Sequence, residues 1–216
     1  MVAQKVHVAI VLDRSGSMED CRTDAIGAVN SYLRQVKDDK EMEAAVSLIT
    51  FDSQGIDLIR DHVPAGSCAE LAPAEYQPRA STPLLDAVGH GVTVLDKGKQ
   101  PAERCILAVM TDGLENASRE YTKESLRALL DRKQKEEGWL VLYLGAGHDA
   151  WAQARALGLH AGNVASFDKS SVAEGMAAVG TRARRYAMAA EPKSEAETGG
   201  FTDRERAGMR ATKKKH

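Results

Sequence analysis

Short apolar runs that alternate with amphipathic stretches are the feature that most constrains the fold of this 216-residue chain. Val6 to Leu12 reads VHVAIVL, a nearly continuous apolar run that is typical of a central strand covered on both faces. Similar runs predict strands over 105–110, 139–144 and 164–167. Strands that alternate with helices predict a mostly parallel sheet with helices on both of its faces.

Two further strands are predicted over 44–51 and 56–63. Only the short turn DSQG lies between them, so we expect these two strands to form an antiparallel hairpin. Three prolines mark a long loop over 64–82. Apolar residues recur at helical spacing in the remaining segments, which predicts helices over 19–38, from Pro83 to about 95, and over 118–137, 149–157 and 171–188.

The C-terminal segment differs from the rest in composition. Residues 191–216 contain seven Lys or Arg, five Asp or Glu and almost no large apolar residues. Such a segment buries too little apolar surface to offset its ordering entropy. We therefore expect one α/β domain over 1–190 and a flexible charged tail over 191–216. We also expect Arg182, Arg184 and Arg185 to lie on the exposed side of the last helix.

Composition and charge exclude several classes of function. The formal net charge of −2 argues against a general nucleic-acid binder. No apolar run approaches the length of a membrane span, and the N-terminal residues lack the pattern of a signal peptide. The three cysteines are odd in number and widely spaced, which argues against a disulfide framework or a zinc motif. These features together predict a cytoplasmic protein.

Oxygen-bearing side chains follow two of the predicted strands and precede one helix. Asp13, Ser15 and Ser17 come directly after the first strand, Asp112 follows the strand over 105–110, and Thr82 precedes the helix that begins at Pro83. In open parallel sheets, ligands bind beyond the carboxyl ends of the strands, where all of these residues are expected. An oxygen-only set suits Mg2+, with Mn2+ or Ca2+ as substitutes, and the ion would keep an open or water-filled position.

Each of these motifs also has an ordinary structural explanation. Ser17 and Asp20 have the spacing of a helix capping box. Thr82 followed by Pro83 matches a helix N-cap, and Asp112-Gly113 is a common turn dipeptide. Their joint occurrence at matching ends of strands and helices favours a shared site.

The complete set resembles the von Willebrand factor A (VWA) domain and its metal-ion-dependent adhesion site. The sequence contains VLDRSGSM, then ASTPLLDAV, then VMTDGLEN, which match the Asp-x-Ser-x-Ser, Thr and Asp elements of that family in order. The resemblance implies a doubly wound, mostly parallel six-stranded sheet with one antiparallel edge strand. It also implies that Ser15 and Ser17 bind Mg2+ directly, that Thr82 and Asp112 bind directly or through water, and that Asp13 acts mainly through water.

The same resemblance implies a protein-interaction module rather than an enzyme. An Asp or Glu of a partner protein would complete the metal coordination, and the sequence further resembles bacterial and phage-type intracellular members. Loops 13–20, 80–84 and 112–117 would form the ligand face. Glu19, Asp20 and Glu115 on or near that face would disfavour a generally acidic partner.

Two alternatives remain open from sequence. Gly145-Ala-Gly-His-Asp-Ala150 follows a predicted strand, and Asp168 lies about twenty residues further on, as in a dinucleotide-binding fingerprint. The second alternative is a Mg2+-dependent phosphohydrolase with Asp13 as its nucleophile. However, position 15 lacks the second carboxylate that would transfer a proton to the leaving group.

Overall fold

A six-stranded sheet runs through the middle of the molecule in the order β3-β2-β1-β4-β5-β6. The computed structural model describes residues 3–146, 150–189 and 200–210. The strands are β1 (Gln4–Asp13), β2 (Met42–Asp52), β3 (Gly55–Pro64), β4 (Arg104–Thr111), β5 (Leu140–Ala146) and β6 (Val164–Phe167). The helices are α1 (Arg22–Asp38), α2 (Leu84–Gly98), α3 (Lys123–Lys135), α4 (Ala150–Ala156), α5 (Val172–Met188) and α6 (Asp203–Gly208).

Five strands are parallel and one edge strand is antiparallel. β1 lies between β2 and β4 and is parallel to both, and β5 and β6 continue the parallel sheet on one side. β3 pairs antiparallel with β2 at the opposite edge, which confirms the predicted hairpin. The predicted fold class, a doubly wound α/β sheet with one antiparallel edge strand, is confirmed.

The apolar runs of the central strands supply both faces of the sheet because successive side chains point to opposite sides. In β1, Val8 and Ile10 belong to the core beneath α1 and α5. Ala9 and Val11 belong to the second core, beneath α2, α3 and α4. Each face is therefore covered by helices, as a continuous apolar strand requires. No helix in the described part of the chain is long and apolar enough to cross a membrane.

Helices α1, α2 and α3 begin later than their sequence patterns predict, at Arg22, Leu84 and Lys123. Pro83 occupies the N-cap position of α2, so Thr82 lies one residue before the cap. α3 begins at Lys123 rather than near 118, with Thr122 as its N-cap accepting a hydrogen bond from the Ser125 amide. The residues before it are held in a non-helical loop by hydrogen bonds from their backbone amides to the side chains of Asp86 and Glu115, which local helical propensity does not reveal.

Part of the segment expected to be a flexible tail packs against the domain. Residues 200–210 contain α6. On either side of it, Phe201 and Met209 are buried, with 5% and 0% of their surface exposed. The carbonyl of Met209 accepts a hydrogen bond of 2.9 Å from the Asp168 amide. The prediction of a flexible tail does not hold for these residues, because two apolar anchors and an ion pair between Arg185 and Glu205 dock the short helix. Residues 191–199 and 211–216 lie outside the described part of the chain.

The arginines of α5 are not all on its exposed side. Arg182 is fully buried and donates a hydrogen bond of 3.1 Å to Asn163 Oδ1. Arg185 is half-buried and pairs with Glu205 next to α6. Only Arg184 is exposed, as expected, and it pairs with Asp39. The segment that contains α6 covers this side of α5, and no pattern in the sequence indicates that contact.

Helix α2 approaches the sheet closely at Gly91. A Cβ atom there would lie 2.7 Å from Cγ2 of Val11 and 2.9 Å from Cδ1 of Leu107. Both atoms belong to central strands, whose positions are fixed by neighbours on each side. The contact therefore sets how closely α2, and the Thr82 loop that precedes it, lie to β1 and β4.

We predict that Gly91→Ala destabilises the protein by about 1–3 kcal/mol because the added methyl overpacks this contact. Gly27→Ala in α1 is the matched control, since no atom lies within 4 Å of a Cβ built there. The control should stabilise the protein by about 0.4–1 kcal/mol, as expected for alanine in an exposed helical position. Urea denaturation followed by circular dichroism measures both values. Equal stability of the two variants would contradict the close approach.

Candidate functional site

The loop after β1 brings its three oxygen-bearing residues next to Asp112. The Asp13 side chain is buried, and its Oδ1 accepts a hydrogen bond of 2.7 Å from the Ser15 amide. The hydroxyl oxygens of Ser15 and Ser17 lie 3.2 Å apart. Ser17 Oγ donates to Asp112 Oδ1 at 2.5 Å. These contacts follow from topology, because β1 and β4 are adjacent parallel strands whose carboxyl ends lie side by side.

Thr82 reaches the same point from the loop before α2. A Cβ atom on Gly113 would lie 2.7 Å from Thr82 Oγ1 and 3.4 Å from Asp13 Oδ2, so both side chains lie against the Gly113 backbone. The Thr82 amide donates to Asn116 Oδ1 at 2.8 Å, which ties the two loops together. The structure thus groups all five residues that the sequence identifies as candidate ligands.

Asp13 is held at the strand ends by more than its own loop. Its Oδ2 accepts a hydrogen bond of 2.5 Å from the hydroxyl of Thr111, the last residue of β4. Burial raises the pKa of Asp13 from 3.8 to about 6, although the hydrogen bonds from Thr111 and Ser15 oppose that shift. A cation nearby would favour the charged carboxylate and lower this pKa again. The site is therefore electrostatically suited to a positive ion.

Arg14 fixes the shape of the loop and was not identified from sequence. Its side chain is buried and donates to Asp52 Oδ2 and Asp57 Oδ2, each at 2.7 Å. These bonds tie the loop to the β2–β3 hairpin. The Tyr76 hydroxyl, from the long loop over 64–82, donates to the Asp13 carbonyl at 2.5 Å. Ser15 and Ser17 are consequently presented from a loop that is anchored on two sides.

Two carboxylates support the loop after Asp112. Asp86 in α2 accepts hydrogen bonds from three consecutive backbone amides, those of residues 119–121. Glu115 accepts from the amides of Leu85, Ala117 and Ser118. We expected Glu115 to act on a partner from the ligand face. Its carboxylate instead binds the chain's own backbone, and this explains why the segment before α3 is not helical.

A lysine lies directly at the site. The ammonium of Lys169, in the turn after β6, is 2.8 Å from Asp112 Oδ2 and 2.6 Å from the carbonyl oxygen of Ser17. It is also 3.2 Å from Asp20, so this acidic residue is paired rather than free. Burial opposes the charge on Lys169, but its bonds to Asp112 and Asp20 outweigh that effect and raise its pKa. No sequence pattern indicates this contact, since Lys169 and Asp112 lie far apart in the chain.

The ordinary structural explanations of the motifs do not account for these positions. The short 3-10 helix Gly16–Cys21 has no side-chain cap, so Ser15 and Ser17 serve no capping role there. Thr82 is not the N-cap of α2. Asp112 and Gly113 do form a turn, but the carboxylate points to Ser17 and Lys169.

The glycine motif that suggested a dinucleotide site is only partly described. Residues 147–149 lie outside the described part of the chain. Helix α4, which follows them, has only seven residues.

Three solved structures place this architecture among VWA domains, whereas no family model and no curated protein matches the sequence. The vWF domain of the type V pili tip protein Mfa5 from Porphyromonas gingivalis superposes with a TM-score of 0.66 at 10% identity, over 88% of this chain and 99% of that one. The von Willebrand factor type A protein from Catenulispora acidiphila gives 0.63 at 16% identity. Manganese-loaded TRAP protein from Plasmodium vivax gives 0.54 at 14% identity, over 79% of this chain and 71% of that one.

At these identities the likeness shows the fold. The chain has the VWA fold. The superposition on the Catenulispora protein includes 84% of this chain but only 43% of that protein's length.

Proposed function

We propose that this chain is a protein-interaction module that binds Mg2+ through Asp13, Ser15, Ser17, Thr82 and Asp112 and captures an acidic side chain of a partner protein. The observation that carries the proposal is the hydrogen-bonded chain from Ser15 through Ser17 to Asp112, beside a buried Asp13. The donor set consists of hydroxyl and carboxylate oxygens, which suit a hard divalent cation. Mn2+ or Ca2+ would substitute, and the structural likeness to a manganese-loaded protein supports this.

Within this site each residue has a distinct role. The hydroxyls of Ser15 and Ser17 would bind the ion directly, and Thr82 and Asp112 directly or through water. Asp13 would act through water and by orienting Ser15, whose amide it already binds. Because Asp13 would act through water, Asp112 is the only one of these five residues that could bring a negative charge directly to the ion, which would therefore retain positive charge and attract a carboxylate from outside.

The surroundings of the site favour a partner with one acidic residue among neutral or basic neighbours. Glu19 is exposed beside the loop and would repel a broadly acidic surface. Asp20 lies next to it and pairs with Lys169. Leu114, next to the Asp112-Gly113 turn, is 54% exposed and offers an apolar contact beside the metal. We place this module among bacterial and phage-type intracellular proteins and expect it in the cytoplasm.

The geometry around Asp13 favours binding over phosphoryl transfer. A nucleophilic carboxylate needs a free oxygen facing its substrate. Both oxygens of Asp13 accept hydrogen bonds, from Ser15 and from Thr111, and the side chain is buried. We therefore propose that the module is not an enzyme.

Capture of partner proteins tests the proposal. Proteins from a lysate that bind the immobilised chain in Mg2+ should elute with EDTA, and Asp112→Ala should fail to capture them because the metal loses a ligand. Asp24→Ala, which removes an exposed carboxylate of α1, is the matched control and should capture normally. Capture that persists in EDTA would contradict the metal bridge. Phosphate release from generic phosphoesters that requires Mg2+ and is lost in Asp13→Asn would instead support an enzyme.

Lys169 would compete with the metal for Asp112. An ammonium 2.8 Å from Asp112 Oδ2 neutralises the carboxylate that the ion needs, and two cations at that distance would repel. Metal binding would therefore require the ammonium to move away. Its side chain is 36% exposed, which leaves room for that movement.

We predict that Lys169→Met increases the affinity for Mg2+ or Mn2+ by about 5- to 30-fold, the factor for roughly 1–2 kcal/mol. Lys135→Met, which removes an exposed ion pair within α3, is the control and should leave the affinity unchanged. Isothermal titration calorimetry measures both. An unchanged or weaker affinity in Lys169→Met would show that the lysine does not compete with the ion.

A further inference from the structure

A second group of metal-ligating side chains lies at the other end of the sheet. His7 in β1, His62 in β3 and Glu103 just before β4 bring one ligand atom each within 4.8 Å of one another. His7 precedes Asp13 by six residues on the same strand, which separates the two sites by about 20 Å. None of the roles proposed above uses these three residues.

The imidazole rings of His7 and His62 meet edge to face beside Gly98, with their centroids 4.4 Å apart. A Cβ atom on Gly98, at the end of α2, would lie 3.4 Å from Nδ1 of His7 and 3.5 Å from Cδ2 of His62. His62 Nε2 is 3.1 Å from Glu103 Oε1. That separation is close to the edge of a tetrahedron whose ligands lie about 2.0–2.1 Å from a zinc ion.

A buried nitrogen in this cluster has no hydrogen-bond partner. His7 is fully buried, and its Nδ1 makes no hydrogen bond, although buried ring nitrogens are nearly always satisfied. Its other nitrogen, Nε2, lies 2.9 Å from Ser47 Oγ. If His7 donates from Nε2 to that hydroxyl, the lone pair of Nδ1 faces the cluster, as in histidines that bind metals.

The neighbours hold the other two ligands in place. The Ser47 hydroxyl accepts a hydrogen bond of 2.9 Å from the His62 amide, and the Gln100 amide donates to Glu103 Oε2 at 2.8 Å. Glu103 Oε1 pairs with His62 Nε2, so a bound ion would replace the proton between these two atoms. Burial lowers the pKa of His7 to about 4, because it disfavours the charged imidazolium. His62 is partly exposed and opens to a surface cleft that His90 and Lys97 also line.

We propose that His7, His62 and Glu103 bind a divalent transition-metal ion of the zinc type, with the fourth position open to water from the cleft. Two imidazoles and one carboxylate suit Zn2+ and Co2+ better than Mg2+, which prefers oxygen ligands. The ion would join β1, β3 and the start of β4 at the end of the sheet opposite Asp13. This inference is independent of the function proposed for the Asp13 site.

Titration of the full chain with Zn2+ or Co2+, in excess Mg2+, tests the assignment. Wild-type protein should bind one Zn2+ more tightly than either cluster variant by at least about tenfold. At 100-fold excess over the dissociation constant its melting temperature should rise by about 5–10 °C. Co2+ should give the intense visible absorption of a tetrahedral site. His62→Asn and Glu103→Gln should both lose these signals. Asparagine suits position 62 because His62 has a φ of 46°, which that residue tolerates.

Two controls make the outcome decisive. His90→Asn removes an imidazole from the same cleft but not from the cluster, and should bind Zn2+ as the wild type does. Asp112→Ala should also retain the signals, which separates this site from the one at Asp13. Absence of Zn2+ and Co2+ binding in the wild type would overturn the assignment. An affinity for Zn2+ in Glu103→Gln equal to that of the wild type would also overturn it, since this variant keeps an acceptor for the Gln100 amide.

Discussion

The buried carboxylate of Asp13 is the group on which the arrangement of the ligand edge depends. It lies where the central strand ends, and its two oxygens bind the amide of its own loop and the hydroxyl of Thr111 on the neighbouring strand. A buried carboxylate without such partners is strongly disfavoured. The strand ends, the serine loop and the turn at Asp112 are therefore fixed relative to one another before any ion binds. Arg14 and Tyr76 extend this support to the hairpin and the long loop.

Much of the fold could be predicted from sequence because apolar runs and turn residues report it locally. Each predicted strand is present, and the DSQG turn identified the antiparallel edge. Several expectations were wrong because tertiary contacts decided them, and two examples show how. The segment before α3 is held in a non-helical loop by Glu115 and Asp86, and residues 200–210 are docked by Phe201 and Met209. A pattern within one segment carries no information about such distant partners.

The difference between local sequence patterns and distant contacts also applies to the two groups of candidate metal ligands. Asp13, Ser15, Ser17, Thr82 and Asp112 could be selected from sequence because their motifs fall at the ends of recognisable elements, and the structure brings them together. That they bind a metal remains a proposal. Lys169 could not be found in this way, since its contact with Asp112 is made by two distant loops. His7, His62 and Glu103 also come from separate elements, and scattered histidines carry no motif.

Crystals of the protein grown with Mn2+ test the central claim most directly, because anomalous scattering locates this ion without reference to any partner. We predict an anomalous peak within about 2.5 Å of the hydroxyl oxygens of Ser15 and Ser17, with the ammonium of Lys169 displaced from Asp112. Well-ordered density with no peak at Ser15 and Ser17, and with Lys169 still paired to Asp112 at saturating Mn2+, would contradict the account.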